Sequence, residues 1–174
     1  MNSPSSPQLA SLSSGDDTAW AAFYDSIAGD LRAYVARIGA RDPDDGLGET
    51  MVQLVHDVKR FSGTYDELRP WAFRVARNRV IDDARRRARR PDVVADLDDD
   101  HTPDPAPLET SPDLDRLSGL LSGLTDDQRE AVWLRHVLDL PLATAAQIMD
   151  RDPGAVAALT MRAMRRLRRQ LADS

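Results

Sequence analysis

The sequence predicts an all-α protein: two small helical domains joined by a flexible, acidic, proline-rich linker, the C-terminal domain a helix-turn-helix. Three observations carry that expectation. Alanine, leucine and arginine abound while alternating runs of β-branched residues are few, the balance expected of helices. Apolar residues recur at spacings of three, four, seven and eight along most of the chain, which places them on one face of successive helices. Between the two halves the composition breaks. Pro91, Pro103, Pro105, Pro107 and Pro112 interrupt any helix, acids stand at nine positions between 92 and 115, and neither lysine nor arginine occurs there. Proline and self-repulsion both extend such a segment. The expected organisation is an unstructured lead over 1–15, a first domain over 16–90, a linker over 91–112 and a second domain over 113–174.

Composition bounds the function. With 174 residues, 41% of them hydrophobic, the chain is long enough for one or two small cores. The formal net charge of −6 argues against a generally basic nucleic-acid binder, but basic charge gathers at 74–90 and again at 162–169, and it is the local patch that meets a phosphate. There is no cysteine, so disulfides and thiolate metal sites are excluded and a reducing, cytoplasmic setting fits. No apolar run approaches the roughly 20 residues that span a bilayer. Residues 1–14 lack the basic start and apolar centre of a signal peptide.

In chain order, Asp16 or Asp17 caps a first helix whose stripe is Trp20, Phe23, Tyr24, Ile27, Leu31, Tyr34, Val35 and Ile38, ended by Gly39. Asp42 and Pro43 open a second, with Leu47, Met51, Leu54, Val55 and Val58 inward. Asp44, Asp45 and Glu49 crowd its first turns, where the helix dipole favours negative charge, while Gly46 and Gly48 weaken it. A loop over 64–69 leads to the central helix, 71–90, which Pro70 begins. Phe73, Val80, Ile81 and Ala84 share its inner face. Arg74, Arg77, Arg79, Arg85, Arg86, Arg87, Arg89 and Arg90 occupy the others, opposed only by Asp82 and Asp83. A solvated face ordinarily mixes signs; this one suits phosphates. The linker acid is a solubilising spacer or folds back on those arginines.

In the second half, Leu114, Leu117, Leu121 and Leu124 mark a short helix, and Thr125 with Gln128 forms a capping box. The helix it opens buries Ala131, Val132, Leu134, Val137 and Leu138. Pro141 starts the next, with Ala145, Ala146, Ile148 and Met149 inward. Asp152 and Pro153 begin the last, with Val156, Leu159, Ala163, Leu167 and Leu171 inward. Two helices joined by a tight turn, the second ending in arginine, read as a helix-turn-helix or as a plain three-helix packing.

Catalytic chemistry is not evident. His56, His101 and His136 have no ligand spacing, Asp82 and Asp83 point to different sides of a helix, and there is no glycine-rich phosphate loop or nucleophile elbow. No enzyme activity, metal, cofactor or small-molecule substrate is expected.

Three segments resemble the extracytoplasmic-function sigma factors, short bacterial sigma-70-type subunits of RNA polymerase. Asp44-Asp-Gly-Leu-Gly-Glu-Thr-Met51 is similar to the family's acidic polymerase-binding helix. Trp71-Ala-Phe-Arg-Val-Ala-Arg-Asn-Arg-Val-Ile-Asp82 is similar to its promoter-opening helix, and 124–167 to its carboxy-terminal promoter-binding domain. The resemblance implies core RNA polymerase, promoter DNA and an anti-sigma factor as partners. It implies that Asp44, Asp45 and Glu49 meet the polymerase clamp. It implies that Phe61 and Asn78 read an unpaired minus-ten base at the loop 62–69, with Arg74, Arg77, Arg85 and Arg86 holding the DNA backbone. The last helix would enter the minus-thirty-five major groove with Pro153, Gly154, Ala157, Ala158, Thr160, Met161, Arg162, Arg165 and Arg166. This sequence departs from the family at Gly46, Gly48 and the Ala157-Ala158-Leu159 run. Two other readings stay open: a helix-turn-helix regulator acting without polymerase, and a sigma-like interaction protein without minus-thirty-five readout.

Overall fold

The computed structural model describes residues 7–89 and 123–172. All their regular structure is helical, and the helices form two compact units, one before and one after the intervening segment. The linker expected over 91–112 and the leucine-marked helix from Leu114 lie outside the described residues, except that Leu124 is buried.

The first unit holds α1 (Pro7–Ser14), α2 (Asp17–Arg37), α3 (Pro43–Asp57) and α4 (Leu68–Ala88), with 3-10 turns at Val58–Arg60 and Tyr65–Glu67. Helix α2 starts where its cap predicts: the Asp16 carboxylate accepts from the Ala19 N–H at 3.0 Å. It ends at Gly39, whose φ of +97° is a left-handed conformation that glycine adopts without strain. Asp42 caps α3 by accepting from the N–H groups of Asp44 and Asp45, with Pro43 in the first turn.

Helices α2, α3 and α4 pack on one another. Their core contains Phe23, Ile27, Leu31, Tyr34, Val35, Leu47, Leu54, Val58, Leu68, Ala72, Phe73, Ala76 and Val80. The rings of Tyr34 and Phe73 meet at 5.2 Å between centroids, a favourable tilted aromatic contact.

Several expectations are corrected. Residues 7–14 of the expected unstructured lead are a helix, because Leu9 and Leu12 bury themselves and the Trp20 indole N–H donates to the Leu12 carbonyl at 3.0 Å. Helix α4 begins at Leu68, so most of the expected loop 64–69 is helical and Pro70 sits inside the first turn, where an N–H has no helical partner to lose. Its inner face is Leu68, Ala72, Phe73, Ala76 and Val80, while Ala84 is exposed beyond the core. Tyr24, Val55, Val137 and Leu171, read as inward, are exposed.

The second unit holds α5 (Asp126–Val132), α6 (Leu142–Met149) and α7 (Pro153–Ala172). The expected capping box opens α5: Gln128 N–H donates to the Thr125 hydroxyl at 3.3 Å, and Thr125 N–H to the Gln128 side chain at 3.2 Å. Beyond α5 the chain widens into a π-turn, Trp133–Val137, closed by Leu138 N–H to the Trp133 carbonyl. That extra residue per turn shifts the face and leaves Val137 outside. Pro141 precedes α6 as its N-cap rather than starting it. Asp150, at φ +51°, turns the chain from α6 to α7, a conformation aspartate tolerates better than most residues. Val156 and Ala163 of α7 are buried, and Met164 and Leu167 pack on Leu124, Val132 and Ala163.

Candidate nucleic-acid interface

Burying Ala72, Phe73, Ala76 and Val80 turns the opposite side of α4 to solvent. On it, Trp71, Arg74, Asn78, Asp82 and Arg85 follow at spacings of three and four, one continuous stripe. At 1.5 Å per residue Asn78 lies about 10 Å along the axis from Trp71. Arg74 and Asn78 are exposed; Arg77 is half-buried on a flank.

Phe61 stands at the head of this stripe. Its N–H closes the Val58 turn at 3.1 Å, and its ring lies against Trp71 with centroids 4.8 Å apart and planes inclined by 32°. The structure therefore brings Phe61 to the start of the stripe that carries Asn78. Trp71 was not singled out from the sequence as a site residue; an aromatic at the head of a basic helix, ten residues after another, was the available signal. Gly63 leaves room for this arrangement: a Cβ there would press on the Phe61 ring and the Glu67 carboxylate, which would have to shift.

The segment between Phe61 and α4 is built by short-range bonds. Glu67 accepts from the Thr64 N–H at 2.7 Å and the Thr64 hydroxyl at 3.0 Å. These bonds, the backbone one first, hold its carboxyl below the usual range. Arg69 ties the start of α4 to α2 through Asp30 at 2.6 Å, and its guanidinium lies 5.6 Å from the centre of the Phe73 ring.

Not every arginine faces outward to a phosphate. Arg79 reaches back across the α3–α4 seam to Glu49 at 2.5 Å and to the Gln53 side chain at 3.5 Å. Arg85 stands 3.5 Å from Asp82, Arg86 3.7 Å from Asp83 and Arg87 3.1 Å from Asp83. These are exposed pairs, worth little in water and easily exchanged for a phosphate.

The three acidic candidates on α3 are not equivalent. Arg32 grips Asp44 through both oxygens, at 2.7 and 3.1 Å. That contact holds the Asp44 carboxyl low and raises Arg32. Glu49 belongs to Arg79. Asp45 shares the outer face of α3 with Val52 and His56 at helical spacing, Val55 beside them. Val52 is 71% exposed and Val55 50%. These exposed valines, one of them read as core, form an apolar surface about two turns along the helix from Asp45.

In the second unit, Asp152 accepts from the Gly154 N–H at 2.7 Å and fixes the start of α7, while Arg151 pairs with Asp127 at 2.5 Å. Opposite the buried Val156 and Ala163, residues Gly154, Ala158, Met161, Arg165 and Arg168 follow at spacings of four and three. Met161 is 63% exposed. Ala158 on this stripe is half-buried, as are Ala157 and Thr160, which turn toward the flank, the Thr160 hydroxyl donating to the Val156 carbonyl at 2.9 Å. Pro153, Arg162 and Arg166 are exposed, and Arg162 Nε donates to the Ala158 carbonyl at 3.2 Å. No helix is long and apolar enough to cross a membrane among the described residues.

Comparison with known proteins places these units. The family model for Sigma-70 region 2 matches residues 23–90, and that for Sigma-70, region 4 matches 114–167. The ECF RNA polymerase sigma factor SigL of Mycobacterium tuberculosis is 31% identical over 157 residues, covering 87% of this chain and 88% of the relative. SigK of Mycolicibacterium vanbaalenii is 30% identical over 166 residues, covering 88% and 81%. Among solved structures, CnrH, in complex with the cytosolic domain of CnrY, superposes with a TM-score of 0.66 at 24% identity, covering 96% of this chain and 97% of that one. The sigma factor RpoE of Bartonella quintana, in complex with the anti-sigma factor NepR, gives 0.65 at 23% identity, covering 86% and 96%. The helical units thus have the architecture of solved sigma factors, and the chain belongs to the extracytoplasmic-function sigma factors of the sigma-70 family.

Proposed function

We propose that this sigma factor docks on core RNA polymerase through the outer face of α3, opens promoters along the outer stripe of α4 and holds the upstream element with α7. The family assigns the general activity: an alternative sigma factor binds core polymerase and directs promoter-specific initiation. The observation that carries the site is the Phe61–Trp71 stack at the head of the stripe bearing Arg74 and Asn78. An extruded base needs an aromatic surface and a side chain for its edge. Phe61 with Trp71 supplies the first, Asn78 the second, and Arg74, Arg77, Arg85 and Arg86 supply charge for the backbone.

On α3, Asp45 shares its outer face with the exposed Val52 and Val55 and makes the better docking surface, while Asp44 and Glu49 first have to exchange their pairs with Arg32 and Arg79. An anti-sigma factor that covers these surfaces is the further partner, and the setting is cytoplasmic, where polymerase is found. Nothing in this role asks the chain for catalysis.

Two variants test the reading. Asp45→Lys is expected to cut co-purification with core polymerase sharply, because a like charge set against the partner costs several kcal/mol; undiminished binding would remove α3 as the docking surface. Asn78→Ala is expected to keep polymerase binding and to flatten the preference among minus-ten bases by about 1–3 kcal/mol per discriminated base. Competition binding of the holoenzyme to forked promoter DNA, varied at that base, measures it. An unchanged preference would leave α4 a phosphate clamp only.

A further inference from the structure

The outward stripe of α7 changes character along its length. Its first half presents Gly154, Ala158 and Met161; its second presents Arg165 and Arg168, flanked by Arg162, Arg166 and Arg169. No acid occurs between 153 and 171, so the helix as a whole suits a polyanion. In helix-turn-helix docking the N-terminal residues of the second helix meet base edges. Bidentate contacts to guanine or adenine need arginine, lysine, asparagine or glutamine, and none stands between 153 and 161. Thr160, the one polar side chain of that span, donates its hydroxyl to the Val156 carbonyl. Arg162 turns its Nε back to the Ala158 carbonyl. What projects is Met161, an unbranched and polarisable side chain that adapts to an apolar surface. In the major groove the one apolar group on a base edge is the 5-methyl of thymine.

We propose that α7 recognises thymine in the upstream promoter element through its 5-methyl group, with Met161 as the specificity-determining residue, Ala158 beside it and the following arginines on phosphate. This rests on the placing of α7 in the major groove. Specificity here is apolar: the helix selects a methyl group rather than a pattern of donors and acceptors. It also gives Ala158 a purpose, since a small residue on the outward stripe lets the backbone approach the groove closely enough for Met161 to reach the base.

The experiment uses full-length protein bound to core polymerase. Duplex promoters are selected by this holoenzyme from a library randomised over the upstream element, then resynthesised with deoxyuridine replacing one thymine at a time, which removes the methyl and nothing else. At a contacted thymine the parent should lose affinity about fourfold per methyl. Met161→Ala should bind the thymine and deoxyuridine duplexes equally, and since Met161 is exposed the helix should fold as before. Arg165→Ala with Arg166→Ala should weaken both duplexes alike and keep their ratio. If those arginine variants weaken binding but the parent binds thymine and deoxyuridine duplexes alike throughout, methyl recognition is wrong while α7 still lies on DNA. Selected elements that contain no thymine would overturn methyl recognition in the same way. If the arginine variants bind as the parent does, α7 is not on DNA and the placing itself fails.

Discussion

Glu67 shows how one side chain sets the shape of the end proposed to read a base. Its carboxylate accepts from the N–H and the hydroxyl of Thr64, closing the turn that carries Gly63 and Phe61 onto α4. Those donors hold its pKa below the ordinary 4.5. A depressed carboxylate contributes stability that is fully present above its unfolded pKa and is lost as pH falls through the folded value. Glu67→Gln should therefore lower the melting temperature at neutral pH, and the gap from the parent should close below about pH 4.5. A gap that stays constant from pH 7 to 3 would show that the charge contributes nothing. Asp44 and Asp57, held low by Arg32 and by His56 with Gln53 respectively, add to the same acid limb, so the comparison must be parent against variant at each pH. Gly48 makes the opposite case. It lies inside α3, and a Cβ there would meet nothing within 4 Å. Gly48→Ala should stabilise the first unit by up to about 1 kcal/mol, read by chemical denaturation. A loss of stability would mean that α3 needs glycine there for reasons its packing does not contain.

At the scale of elements, α1 is the helix that the expected organisation lacked. It precedes the region 2 match and packs on α2 and on the Val58–Arg60 turn, whose next residue is Phe61. Leu12 is 2% exposed, so Leu12→Ala should cost about 2–5 kcal/mol as a buried leucine truncation. Urea denaturation measures it, and a cost under about 0.5 kcal/mol would mean that α1 is not part of the core, by the scale of ordinary surface substitutions. This helix was illegible in the sequence because it is short and surrounded by serine; two leucines three apart gain meaning only once Trp20 is seen to close over them. The longer helices were legible from periodicity, and the caps at Asp16, Asp42 and Thr125 from their chemistry. Less legible was the inner face of α4, where Ala72 and Ala76 are buried because helices approach closely: alanine suits core and surface alike. At the candidate site, Asn78 and Phe61 were proposed from the motif they resemble, and the fold brings Phe61 to the head of the stripe that carries Asn78. The commitment of Arg79 to Glu49 was not, since on a basic stretch every arginine looks available until the fold brings α3 alongside. Val52 and Val55 show the reverse: helical spacing marks a β-branched residue as apolar without saying whether its face is covered by this chain or left for another.

For the whole molecule, the net charge of −6 conceals a division of labour. Arginines close α4 in the first unit and run through the second half of α7 in the second, while acid concentrates between 92 and 115. Because local potential governs contact with phosphate, each unit can hold DNA although the chain as a whole repels it. Counterion release makes that holding countable: each phosphate neutralised contributes close to one to the slope of log affinity against log salt. Replacing Arg85 and Arg86 by alanine should reduce the slope by up to about 2, and replacing Arg165 and Arg166 should do the same. If both units grip one promoter together, the fourfold variant should lose the sum. A fourfold variant no worse than either pair would mean that the units take turns on DNA. One complication is built into α4: removing Arg85 and Arg86 leaves Asp82 and Asp83 facing the phosphates with fewer partners. Repeating the α4 pair in an Asp82→Asn, Asp83→Asn background separates lost contacts from exposed acid. Lost contacts lower the slope in both backgrounds, whereas a drop that vanishes with the acids would assign the effect to repulsion and return Arg85 and Arg86 to the role of helix-surface partners.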